Sequence, residues 1–199
     1  YSKIKKGDIR SMRKVLQLLS IVVVGIAVAL MLISPELVLI FGSPKYREAV
    51  YVIPPVAASV FFIFIYNILS MPQFYYEKTQ FLMAASMAAA GANVVLNFIF
   101  IRLFGYIAAG YTTLACYMLY SVGHYIVSKR ILVNEGIQEN LMNPGFLLAC
   151  SVFLIGASII CNLIFPYRIL RYAILLASAG LVFWKKELLL KTMADIRKK

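Results

Sequence analysis

FLMAASMAAAGANVVLNFIFIRLFGYIAAGYTTLACYMLYSVGHYIV, residues 81–127, holds two long apolar runs on either side of one Phe-Gly break. The runs Phe81–Ile101 and Tyr106–Val127 each have the length, about 20 residues, that a helix needs to cross a hydrocarbon core some 30 Å thick. They lack the alternation over about ten residues that marks a membrane barrel strand. Working outward, Val15–Ser34, Ala49–Ser70 and Phe146–Phe165 meet the same requirement. A shorter run, Ile169–Trp184, is interrupted by Arg171, which is expected to snorkel to the near interface while Trp184 and Lys185 anchor the far one. The predicted fold class is an all-α membrane protein with about six transmembrane helices.

Composition agrees. The chain has 199 residues, of which 62% are hydrophobic and 14% charged, with mean hydropathy +0.85. A soluble domain carries nearer a quarter charged residues, because its surface must face water. Local chemistry predicts the boundaries. Pro35 closes the first span, Pro54 and Pro55 sit in the opening turns of the second, and Asn143, Pro144 and Gly145 break the chain before the fifth. Pro166 and Tyr167 leave room only for a tight hairpin, and Gly105 ends a tight outer turn.

Orientation follows from the distribution of Lys and Arg among alternate loops. One side receives Lys3, Lys5, Lys6, Arg10, Arg13, Lys14, Lys78, Lys129, Arg130, Lys185, Lys186, Lys191, Arg197, Lys198 and Lys199. The other receives only Lys45, Arg47, Arg102, Arg168 and Arg171. Both termini are therefore expected in the cytoplasm. The predicted organisation is a cytoplasmic loop or juxtamembrane segment (1–14), a four-helix part (15–130) and a cytoplasmic linker (131–145). A terminal two-helix hairpin (146–186) and a basic cytoplasmic tail (187–199) complete it.

The net charge of +12 does not point to nucleic acid. The basic residues collect between apolar runs, as topology and anionic headgroups require, rather than interleaving with aromatics on a groove. Catalysis also finds no support. The only aspartates are Asp8 and Asp195, and the acids Glu36, Glu48, Glu77, Glu135, Glu139 and Glu187 fall in loops or at span ends. No cluster has metal-ligand spacing, so no cofactor, metal or enzyme activity is expected. Cys150 and Cys161, on one helix and roughly 16 Å apart, cannot bridge; they and Cys116 read as small core residues.

Three polar stripes interrupt the apolar spans. In the third span Ala84, Ala88 and Ala92 recur every fourth residue, as do Ala85 and Ala89, a spacing that lets helix backbones approach in lipid. Ser86, Asn93 and Asn97 run beside them and read either as interhelical glue or as a polar cavity wall. In the fourth span Thr113, Tyr117, Tyr120 and His124 share one helical face, either lining an aqueous path or serving packing and the interface. The second span carries a weaker stripe of Ser59, Tyr66, Asn67 and Ser70. None holds a buried acid, so the usual ionisable coupling residue of a carrier is not visible.

Three stretches carry a resemblance: SPELVLIFGSPKYREAV (34–50), IYNILSMPQFYYEKT (65–79) and NVVLNFIFIRLFGYIAAGYTTLACY (93–117). Together they resemble the C-terminal lobe of bacterial polysaccharide and oligosaccharide flippases of the multidrug/oligosaccharidyl-lipid/polysaccharide exporter superfamily. The opening YSKIKKGD resembles the cytoplasmic loop that enters this lobe. The resemblance implies one lobe of a two-lobe bundle in the bacterial cytoplasmic membrane, completed by an N-terminal lobe that this chain lacks. It implies as cargo an oligosaccharide linked to a lipid of undecaprenyl-phosphate type, moved by alternating access. The substrate-cavity candidates are then Asn93, Asn97, Ser86, Tyr117, Tyr120, His124, Tyr66 and Asn67. Arg102 is added as an outward-side anion contact or an ordinary interface anchor. Related roles stay open: export of a drug or a peptidoglycan precursor within the superfamily, or an accessory scaffold in polysaccharide assembly.

Overall fold

The computed structural model describes residues Ile9–Trp184. Among them every regular element is helical. The order is α1 (Ile9–Phe41), a short 3-10 helix (Pro44–Tyr51), α2 (Ile53–Tyr75), α3 (Gln80–Phe104), α4 (Ala108–Asn134), α5 (Pro144–Ile164) and α6 (Arg168–Trp184). Four of these, α1, α2, α3 and α5, are long and apolar enough to cross a membrane. The expected basic tail, with Lys185, lies outside the described residues.

Helix α2 is the central post. It packs against α1, α4 and α5, while α3 leans on α4 and α6 rests on α1 and α5. Phe61, Phe62, Ile65 and Leu69 of α2 meet Met31 and Leu32 of α1, Leu114 and Leu132 of α4, and Leu154 of α5 in one core.

Local chemistry accounts for most boundaries. Pro54 and Pro55 occupy the first turn of α2, where missing amides cost nothing. Asn143 caps α5, its side chain accepting from the Gly145 amide, with Pro144 in the first turn. Gly105 turns the chain from α3 to α4 at φ 77°, a conformation open to glycine. At Gly110 a Cβ would lie 2.8 Å from Pro55 Cγ and 3.0 Å from the Val52 carbonyl, so α2 and α4 touch through a missing side chain.

Several expectations need correction. Pro35 does not close the first span: α1 continues through it to Phe41. Proline removes the amide that would bond Met31 O, but the Ser34 hydroxyl takes that carbonyl at 2.8 Å. Such substitution is how helices in lipid tolerate proline. The second span begins at Ile53 rather than Ala49, because residues 44–51 wind as the 3-10 helix, and it continues through Pro72 to Tyr75. Helix α4 runs seven residues past Val127 to Asn134, leaving an irregular linker of 135–143.

Arg171 does not snorkel. It is 3% exposed and grips Glu36 with both terminal guanidinium nitrogens, at 2.9 and 2.8 Å, while donating to Leu32 O at 2.9 Å. Tyr172 donates to the same carboxylate at 2.8 Å. A carboxylate that accepts from both terminal nitrogens holds the guanidinium inside the protein. At the opposite end of the bundle, Arg10 and Arg13 hold Glu139 of the linker, and Lys78 pairs with Glu135.

Candidate functional site

The polar stripes of α2, α3 and α4 converge on one side of the bundle. A groove of about 450 Å³ opens between them, walled by Tyr66, Ser86, Asn93, Thr113, Tyr117 and Tyr120 with small residues between. Five of the nine candidates, Tyr66, Ser86, Asn93, Tyr117 and Tyr120, therefore share one wall. The lining carries rings, hydroxyls and an amide, and no charged side chain.

Helical spacing builds this wall. Tyr117 and Tyr120 stand one turn apart on α4 and meet Tyr66 of α2, stacked at 6.4 Å and tilted at 4.7 Å between ring centroids. The Tyr120 hydroxyl lies 2.6 Å from Ser86 Oγ, and Ser86 also donates to Leu82 O of its own helix. This bond ties α3 to α4 across the groove floor.

The asparagine pair divides. Asn97 donates to Asn93 Oδ1 at 2.9 Å and accepts from Thr112 Oγ1 at 2.5 Å. Asn97 is thus interhelical glue, and Asn93 is the member that borders the groove. The stripe read from helical spacing includes Thr113, whereas the threonine that bonds α3 is its neighbour Thr112. The signal for it is a hydroxyl within an apolar run, whose single proton goes to Asn97 Oδ1 rather than to the more distant Ala108 O at 3.2 Å.

His124 lies deeper, fully buried behind the wall. Its Nδ1 is 2.8 Å from Gln73 Nε2 of α2. The rings of Tyr120, Phe81 and Tyr66 surround it at 4.5, 5.6 and 5.8 Å. The signal for Gln73 is its place at the end of an apolar run, where a glutamine needs a partner as much as an asparagine does.

Two candidates stand apart. Asn67 is exposed and bonds Ile63 O of its own helix at 2.7 Å. Arg102 is exposed and stacks on Phe98, its guanidinium 3.8 Å from the ring centroid. Neither borders the groove. The small-residue stripe also divides: Ala85 and Ala89 are partly covered by α4, whereas Ala84, Ala88 and Ala92 are exposed. Comparison of the chain with protein-family models, curated proteins and solved structures finds no match.

Proposed function

We propose that this chain is the C-terminal lobe of a flippase that carries lipid-linked oligosaccharide repeat units across the bacterial cytoplasmic membrane. The observation that carries the reading is the uncharged wall of rings, hydroxyls and amide on α2, α3 and α4. Much of it falls within Asn93–Tyr117, the stretch with the densest resemblance. Tyrosine rings flanked by hydroxyl and carboxamide groups suit sugar rings, whose faces are apolar and whose edges hydrogen-bond. On this reading a second lobe faces the groove in alternating access.

On this reading all six helices span the membrane. The polar residues of α4 that dilute its hydropathy, Thr112, Ser121, His124 and Ser128, are buried, while Leu119, Val122 and Ile126 are exposed. Lipid therefore meets an apolar helix. In α6 the charge of Arg171 is matched by Glu36, and 17 residues rise about 25 Å, enough for a slightly thinned core. The Lys and Arg bias sets both ends in the cytoplasm.

The test is made in the intact transporter. Asn93→Ala and Tyr117→Ala are expected to lower surface polysaccharide several-fold at unchanged protein level, whereas Asn97→Ala lowers the protein level itself. Undiminished polysaccharide in both groove variants, with normal expression, would sink the assignment.

A further inference from the structure

His124 is the single histidine of the chain, and its surroundings have a feature that packing does not explain. Of the seven buried side-chain polar atoms without a partner among the described residues, three belong to His124 (Nε2), Gln73 (Oε1) and Ser128 (Oγ). All three residues are at most 1% exposed. Native interiors seldom leave such groups unsatisfied without a role for them.

We propose that His124 is a reversible proton-binding site whose occupancy sets the position of the groove wall. With the Gln73 amide group donating to Nδ1, the neutral ring carries its proton on Nε2. When Nδ1 takes a proton it becomes a donor, and two donors face each other. Rotating the Gln73 carboxamide by half a turn brings Oε1 to accept from the new N–H. Oε1 has no other partner to lose, and the rotation gives up only the long 3.4 Å bond to Leu69 O. The pair thus has two self-consistent hydrogen-bonded states that differ by one proton.

Burying a cation is costly unless something receives it. Here the receivers are present. The ring centroids of Tyr66, Phe81 and Tyr120 lie within 6 Å of the imidazole, and a ring that turns its face to the cation stabilises it. The titratable groups facing the ring are Tyr66 from α2 and Tyr120 from its own helix. From α3 comes Phe81, and among the charges at this end of the bundle Lys78 pairs with Glu135 at 3.3 Å while Arg10 and Arg13 hold Glu139. Tyr120 transmits the change, since its ring contacts His124 and its hydroxyl holds Ser86 in the groove wall.

The groove's role in transport rests on the function proposed above, but the proton site can be tested without cargo. Because there is one histidine, uniform 15N-histidine labelling of the full chain in lipid nanodiscs reports on His124 alone. The expected spectrum passes from the Nε2–H tautomer to imidazolium as the pH is lowered. Gln73→Glu should raise the proton affinity about tenfold or more, and Gln73→Leu should weaken it. An imidazole that stays neutral down to pH 5, or a titration that both Gln73 variants leave unmoved, overturns the proposal. A ring that titrates as expected in a protein whose groove variants transport normally keeps the proton site and removes the transport reading. The reverse pattern removes only the proton site.

Discussion

Helices α2 and α3 have nearly the same length, 23 and 25 residues, and both are apolar enough to span a membrane. Their surroundings are opposite. Thirteen residues of α2 are buried, including Phe61, Phe62 and Ile65, whereas no residue of α3 is. In water an all-round apolar helix must be buried. In lipid that inference fails, because a hydrocarbon tail solvates a side chain as well as leucine does. What distinguishes the two is shape and polarity rather than hydropathy. Bulky side chains of α2 interlock with three neighbours, while α3 packs chiefly on α4, through Ala85 and Ala89 and through the bonds of Ser86 to Tyr120 and Asn97 to Thr112.

The contrast is sharpest in a matched pair of truncations. Phe61 is fully buried, and Phe98 of α3 is 59% exposed. Phe61→Ala should destabilise the bundle by about 3 kcal/mol, the low end of the range for such cavities, because only the packing part of the effect survives in lipid. Phe98→Ala should cost well under about 1 kcal/mol, as expected of a surface position. Denaturant unfolding in mixed micelles measures both. Equal losses would mean that α3 is held by contacts as extensive as those of α2.

Much of this architecture was legible in the residues, and the reasons for the remainder are specific. Turn chemistry acts over a few residues, so Pro54, Asn143 and Gly105 announced their boundaries. Periodicity also identified the stripe of Tyr117, Tyr120 and His124 as one face. It could not say which partner that face meets, since Gln73 lies 51 positions from His124. Nor could it decide between Ala84 and Ala85, because both belong to four-residue repeats and lipid gives no preference between them. Glu36 and Arg171 were read separately, one as a loop acid and the other as a snorkelling cation. Their pairing spans 135 positions and depends on α6 folding back onto α1.

That ion pair makes α6 a third case between the two helices. It has few contacts with the bundle, yet it is pinned to α1 at one point by three charge-assisted bonds to Glu36. Removing one partner leaves an uncompensated buried charge, so Glu36→Leu should cost about 3 kcal/mol. The double variant Glu36→Leu with Arg171→Leu should recover most of that loss, since an apolar pair of similar volume is often neutral. Protease accessibility of the α5–α6 hairpin around Pro166, measured in nanodiscs, should rise in the single variant and return in the double. An unchanged hairpin in the single variant would show that apolar packing holds α6 without the ion pair.

The smallest predicted effect turns on sign. Gly110 of α4 faces α2 with no room for a methyl group: the Pro55 ring and the Val52 backbone are both too rigid to retreat far. Gly91 of α3 has nothing within 4 Å of the position its Cβ would take. Gly110→Ala should therefore cost about 1–3 kcal/mol as overpacking pushes α4 from α2. Gly91→Ala should be neutral or gain up to about 1 kcal/mol, because alanine loses less backbone freedom on entering a helix. The same chemical change then stabilises one helix and destabilises the other. If Gly91→Ala instead lowered stability, the face of α3 that carries Gly91 would be packed against protein, and the contrast with α2 would fail at that face.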